Sequence, residues 1–324
     1  MHYADNVDYP KLLGRPAIFI PGLIALFGLL YYASVGTSGF GATLATAFGL
    51  AEGSPISRNL IIAALITLVV GVNVAVIMRL SLRQQVYFVW LELAALVLLF
   101  FYSFNLSFEF IQRKISFLIT QGLVTTLYIS AISIAIASIL AMIGAVAKLS
   151  SNGIALGIAN FYTSLFRGLP LLMQIYMIYL GLPQLGYVID AVPAGILALS
   201  LCYGAYMTEI FRAGIESIPK GQWEASRALG LKPWDTMTRI ILPQSMRIII
   251  PPTGNQFIAM LKDSSLVSVV GVWELMYLAR TQGQTEFRHI EMMITASLIY
   301  WIMSIVLELI QGRIERHFNK TQTR

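Results

Sequence analysis

Residues 119–147 read ITQGLVTTLYISAISIAIASILAMIGAVA, a run without a single charged side chain. About 20 predominantly apolar residues in a helix cross the roughly 30 Å hydrocarbon core of a bilayer, and this run exceeds that length. Further apolar blocks lie on both sides of it: Ala17–Val35, Leu60–Met78, Val86–Leu106, Ile154–Leu182, Val192–Ile215, Ile248–Leu261 continuing to Val272, and Ile290–Gln311. The expected fold class is therefore an all-α polytopic membrane protein with about eight transmembrane helices.

Composition supports this. Of 324 residues, 57% are hydrophobic and 12% charged, about half the charged share of an ordinary soluble domain. Most of the surface must then face lipid. The net charge of +6 does not indicate nucleic acid, because the basic residues are dispersed between apolar blocks and form no long run. The single cysteine, Cys202, excludes an internal disulfide and sits among apolar neighbours as helix filler. The first block is longer than the h-region of a cleaved signal, so it reads as a retained span.

Basic residues set the orientation. With the N-terminus inside, Lys11, Arg15, Arg79, Arg83, Lys148, Arg212, the basic residues of 216–247, Arg313, Arg316, Lys320 and Arg324 fall on the cytoplasmic side. Both termini are expected there, although Arg113-Lys114 on the outer side opposes this locally. Gly36–Arg58 becomes an outer segment rich in Gly, Ser and Thr, with a re-entrant stretch between Gly39 and Leu50.

The longest polar stretch between spans, 216–247, falls inside and is punctuated as ordered structure. Ser217 is placed to cap a helix with Pro219 in its first turn. Lys220–Leu229 is helix-compatible, and Gly230 supplies a left-handed end. A second helix is expected from Pro233 to about Ile241, stopping before Pro243. The loop carries Glu224, Ala225, Ser226, then Gly230 after three residues, then Ile240, Ile241, Leu242 and Pro243 after nine. The small residues at 225, 226 and 228 allow another protein's backbone to approach, Leu229 can plug an apolar groove, and Glu224 lies near the helix's positive end. Such a helical hairpin suits transmission of rigid-body motion to the spans.

This pattern resembles the EAA signature of ABC importer permeases, with Ser226 in place of the second alanine. Gly122-Leu-Val-Thr-Thr-Leu-Tyr-Ile-Ser, Phe166-Arg-Gly-Leu-Pro-Leu-Leu-Met-Gln, Tyr206-Met-Thr-Glu-Ile-Phe-Arg-Ala-Gly, Ile218-Pro-Lys-Gly-Gln-Trp-Glu-Ala and Leu261-Lys-Asp-Ser-Ser-Leu are similar to the polar amino acid branch, whose members serve histidine, arginine, glutamine and glutamate. Leu169 stands where that branch usually has Thr. The resemblance covers about residues 119–312. It implies a core domain of five helices (111–324) with a coupling loop at 216–247. The three preceding helices (1–110) resemble the N-terminal extensions that some members carry.

The resemblance implies a type I importer: two permease subunits, identical or homologous, two cytoplasmic ATPases and an extracytoplasmic binding protein. Glu224, Ala225, Ser226, Gly230, Ile240, Leu242 and Pro243 are then the ATPase-coupling residues. No G-x-x-x-x-G-K-[ST] loop occurs in the chain. The chain is accordingly expected to be no enzyme and to bind no cofactor itself, with ATP and Mg held by the partner ATPase.

Charged residues within spans cost about 2.5 to 3.5 kcal/mol each, which makes Arg167, Glu209, Lys262 and Asp263 functional candidates. Glu209 and Arg212 share a helical face and pair structurally. Lys262-Asp263 marks a helix break whose backbone could meet a zwitterion. One turn earlier, Asn255 and Gln256 follow Pro251-Pro252. Their amides supply the donors and acceptors that an amino acid needs. The expected substrate path comprises Asn255, Gln256, Lys262, Asp263 and Arg167, and the uncharged Gln256 favours neutral or acidic amino acids. An ion-coupled secondary amino acid transporter is the alternative, without a detectable inverted repeat to support it. His289 with Glu286 and Glu291 reads as a solvated outer loop rather than a metal site. Gly153-x-x-x-Gly157 has the spacing of a helix-packing motif.

Overall fold

The computed structural model describes residues 16–49, 54–102 and 106–319. Lys11, Arg15, Lys320 and Arg324, which enter the charge argument, lie outside the described residues, as do residues 50–53 of the segment expected to face outward. All regular structure among the described residues is helical. The chain forms two units, 1–104 and 105–324.

The first unit holds α1 (Pro16–Tyr32), α2 (Gly39–Ala47), α3 (Pro55–Ile77) and α4 (Leu82–Tyr102). The described part of the Gly- and Ser-rich segment 36–58 is folded. Ser38 caps α2 by accepting from Gly41 N at 3.1 Å, and Asn59 of α3 ties the turn before it. Asn59 Nδ2 donates to Tyr31 O at 2.7 Å, and Oδ1 accepts from Gly36 N at 2.9 Å. Gly36 is required because a Cβ there would lie 2.4 Å from Asn59 Cα.

The second unit runs through α5 (Phe108–Phe117), α6 (Val124–Lys148), α7 (Gly153–Gly168), α8 (Leu171–Tyr176), α9 (Leu182–Gln184), α10 (Ala191–Glu216), α11 (Lys220–Ala228), α12 (Pro233–Asp235), α13 (Leu242–Asp263), α14 (Leu275–Thr285) and α15 (His289–Asn319). A π-helical turn, Leu118–Leu123, joins α5 to α6. It brings Gly122 against the start of α14, where a Cβ would lie 2.9 Å from Leu275 Cα, and Leu275 N donates to Thr126 Oγ1 at 3.1 Å.

The core is built on α6 and α10, which lie close because small residues face each other. Ala137, Ala141 and Ala145 meet Ala198, Cys202 and Met207, and a Cβ at Gly144 would lie 2.5 Å from Thr208 Oγ1. Membrane helices associate by such contacts rather than by apolar burial, since lipid tails are as apolar as leucine. A Cβ on Gly153 or Gly157 would meet nothing within 4 Å, so their spacing serves no packing among the described residues.

Five helical stretches are long and apolar enough to cross a membrane: Pro55–Ile77, Leu82–Phe101, Phe108–Lys148, Ala191–Glu216 and His289–Phe318. The block Ile154–Leu182 is a pair, Gly153–Gly168 and Leu171–Gln184, bent by 106°. It makes a sixth span if the pair counts as one. Of the remaining blocks, the first forms the shorter α1, and the other forms α13, which contains Pro251 and Pro252 and continues through them. The 106° break falls at Gly168-Leu169-Pro170, where Leu169 is extended at ψ 138 because proline disfavours a helical residue before it.

Candidate functional site

The loop between α10 and α13 is ordered as its punctuation requires, with two differences. Gly230 has φ 71. It closes α11 in a Schellman turn, with Leu231 N donating to Ser226 O at 3.1 Å and Gly230 N to Arg227 O at 2.9 Å. Ser217 ends α10 instead of capping α11, its hydroxyl donating to Gly214 O at 2.7 Å. Pro243 does not stop the second helix. The π-helical turn Thr236–Ile241 runs directly into α13 through Pro243, and a widened turn relieves the clash between the proline ring and the preceding carbonyls.

Burial divides the predicted coupling residues. Glu224, Ala225, Ala228 and Gly230 are exposed, and so are Leu229 and Trp234, 78% and 76% respectively. Ser226 faces inward, its hydroxyl donating to Gln222 O at 2.7 Å. Ile240 packs partly buried on the core, while Leu242 is half-buried and Pro243 exposed. Ile241, absent from the sequence-based set, is fully buried and seats the loop on the core together with Ile218. Its signal was available: it is the middle apolar residue of Ile-Ile-Leu-Pro.

Above the loop, Glu209 collects three cations. Arg212 Nε donates to Oε2 at 3.0 Å, as the shared face predicts. Lys148 Nζ bonds Oε1, and Arg167 Nη1 lies 3.6 Å from Oε1. The guanidinium of Arg167 also stacks over Tyr206, 5.5 Å from the ring centre. Glu209 thereby joins the ends of α6 and α7 to α10. Lys148 is the most buried of the four, its side chain 10% exposed. A cation so placed must be paired, because desolvation disfavours an isolated charge.

Arg167 precedes the 106° break, and buried Gln174 satisfies the carbonyls left there. Its Nε2 donates to Phe166 O and Leu169 O, both at 2.9 Å. The remaining path residues stand in separate networks. Asn255 Oδ1 accepts from Gln311 Nε2 at 2.9 Å, and the same nitrogen reaches Pro251 O at 3.1 Å. Gly254 makes room, since a Cβ there would lie 2.7 Å from Gln311 Cδ. Gln256 is half-buried. Asp263 Oδ2 accepts from Tyr203 OH at 2.7 Å, and Lys262 is exposed. No hydrogen bond or ion pair among the described residues links Arg167, Asn255, Lys262 and Asp263 to one another. Tyr203 and Gln311, the partners of Asp263 and Asn255, are distant in sequence, and no local spacing points to them.

The profile of a protein family described as the binding-protein-dependent transport system inner membrane component matches residues 133–320. The chain belongs to this family. It is thus a membrane permease subunit and not an enzyme. The match lies within the second unit and includes the loop 216–247. The chain is similar to the arginine transport system permease protein ArtQ of Bacillus subtilis (strain 168), 40% identical over 65% of this chain and 97% of that one. It is also similar to the L-cystine transport system permease protein TcyB of the same organism, 37% identical over 66% and 92%. Among solved structures, one described as an amino acid ABC transporter with histidines superposes with a TM-score of 0.61 at 33% identity, covering 66% of this chain and 99% of that chain. The MetNI methionine ABC transporter, at 19% identity and TM-score 0.56, shares the fold.

A second built-up region lies around α14 and α15, which carry their own core cluster. Glu274, fully buried, caps α14 by accepting from Met276 N at 2.8 Å and Tyr277 N at 2.6 Å, and Tyr300 OH donates to it at 2.7 Å. Burial nevertheless pushes this carboxyl up to about 7. At its far end, α14 closes in a Schellman turn: Arg288 N donates to Gly283 O at 2.8 Å and Phe287 N to Gln284 O at 3.4 Å. The left-handed position belongs to Phe287, with φ 57. Glu286 meets Arg113 at 3.1 Å and Lys114 at 3.7 Å, and Arg288 meets Glu291 at 2.9 Å. His289 makes no metal cluster with Glu286 and Glu291 among the described residues.

Proposed function

We propose that this permease forms the translocation path of an ATP-driven importer for polar amino acids. It works beside a second permease, identical or homologous, with a pair of ATPases that bind ATP and Mg and an extracytoplasmic binding protein that delivers substrate. The observation that carries the proposal is the exposed face of α11, closed by left-handed Gly230, in a chain whose family match spans that loop. Glu224, Ala225, Leu229 and Gly230 offer the ATPase a surface. Ser226, Ile240, Leu242 and Pro243 hold that surface to α13. Both termini and the loop lie in the cytoplasm of a bacterial cell, and residues 36–58 and 271–288 face outward.

Relatives named for arginine, cystine and, in Rickettsia typhi, glutamine support a polar amino acid as substrate. Arg167, Asn255, Gln256, Lys262 and Asp263 remain the proposed path residues. Gln256 offers a neutral amide and favours neutral or acidic substrates. No observation favours ion-coupled secondary transport.

Reconstitution with candidate ATPases and binding proteins tests both levels. ATP-dependent uptake of a polar amino acid is expected, and Gln256→Glu should raise the preference for cationic over neutral substrates about tenfold through attraction in a low-dielectric path. Uptake driven by an ion gradient without the ATPase would overturn the importer. An unchanged preference would remove Gln256 from the pocket.

A further inference from the structure

The turn at 283–288 places its residues against ordinary preference. The left-handed position of a Schellman turn is usually glycine, since a side chain there crowds the backbone. This turn does contain a glycine, but at 283, where a Cβ would come within 3.0 Å of His289 Cα. The left-handed position is filled by Phe287, whose side chain is 90% exposed. A strained backbone carrying a large apolar ring into solvent gains nothing within the chain.

The flanking residues tie the turn to the body of the unit. Glu286 on one side is tied to Arg113 and Lys114 of α5, and Arg288 on the other to Glu291 of α15. Both sequence neighbours of the phenylalanine are thus ionised and paired, and an acyl chain would strip their hydration. An aromatic anchor inside a polar rim is instead the arrangement of a protein–protein hot spot. Phe108, 63% exposed, lies at the same end of the unit: the residue before it, Ser107, donates its N–H to Glu291 at 3.5 Å.

We propose that Phe287 is a docking anchor for the soluble binding protein from which this permease receives substrate. The family description requires such a protein. The inference rests on the outward placement of residues 271–288 proposed above. The ion pairs on either side hold the backbone of the turn before contact, so little main-chain freedom is lost on docking.

The test uses the reconstituted complex and the binding protein that restores uptake in it. Phe287→Gly keeps the turn and removes the ring, and Phe287→Ala removes the ring alone. Both should raise the binding-protein concentration needed for half-maximal uptake at least tenfold while keeping the maximal rate within about twofold. The glycine variant should melt no lower than the parent complex. An unchanged half-saturating concentration in both variants overturns the proposal. So does loss of the permease–permease assembly in native mass spectrometry, which would assign the ring to a second copy. Separately, Phe287→Cys in a Cys202→Ala background should react in intact cells with a membrane-impermeant maleimide. Reaction only after permeabilisation would refute the orientation itself rather than the anchor.

Discussion

The two Schellman turns at Gly230 and Phe287 have the same pair of backbone hydrogen bonds and nearly the same left-handed φ, 71 and 57, yet different residues fill that position. At 230 a Cβ would meet nothing within 4 Å, so glycine answers the backbone conformation alone. At 287 an exposed aromatic side chain holds a conformation that costs an L-residue about 1–2 kcal/mol. The first turn minimises local strain and exposes small residues beside it. The second tolerates strain and exposes a large one. A flat surface of small residues suits close backbone approach over an area, whereas a single fixed ring suits insertion into a pocket.

The sharpest way to break this comparison is Gly230→Val. A β-branched residue is poorly tolerated at positive φ, so the turn should open, the ATPase should no longer co-purify, and transport should be lost. Retained co-purification with normal transport would show that the two turns do not differ in kind.

The supports beneath the turns differ too, and they are separable. Glu209→Gln leaves nearly buried Lys148 without its carboxylate and should cost about 2 kcal/mol, below the value for a fully buried pair because the site is partly exposed. The amount of folded complex recovered in detergent should fall. Glu286→Gln, at an exposed pair with Arg113, should cost at most about 0.5 kcal/mol. Equal losses in the two variants would erase the distinction.

A pH-dependent effect is expected at Glu274, the buried cap of α14. Its carboxyl is raised from 4.5 to about 7, so the folded state binds the proton more tightly than the unfolded state. That stabilisation is complete below about pH 4.5 and is lost as pH rises through 7. Melting temperature of the complex should therefore decline between pH 5 and 8, and Glu274→Gln should flatten the decline. A parallel decline in the variant would assign the pH dependence elsewhere.

Much of this architecture is legible in residue order, and the failures have physical causes. The charge-free run 119–147 reads as a membrane helix because nothing else accommodates it. Gly230 is legible because the left-handed position is set by local backbone chemistry. The block Ile154–Leu182 reads as one span because hydropathy averages over Gly168-Leu169-Pro170, although that tripeptide contains the break. Pro243 reads as a helix stop because the rule concerns α-helical turns, and the π-helical turn before it escapes the clash. Gln311, which donates to the carbonyl oxygen of Asn255, lies on another helix and has no local signal in the sequence. Partners of this kind are fixed by tertiary packing. Phe287 went unread for the opposite reason: an exposed phenylalanine in a polar turn has no pattern until its φ is known.

The uninterrupted passage through Pro243 has a mechanical consequence. From Thr236 in the loop to Asp263 the chain is one helical rod, about 40 Å long at roughly 1.5 Å per residue. Pivoted where Gln311 holds it, the rod divides into an arm of roughly 25 Å to the loop and one of roughly 15 Å to Asp263, so a tilt of about 10° moves the tip about 3 Å, the length of one hydrogen bond. The tip carries Asp263, bonded to Tyr203 of α10, and Gln311 grips the rod at Pro251 and Asn255. With that grip as fulcrum, a stroke of about 4 Å at the loop becomes one of about 3 Å at the far end, enough to make or break a bond there.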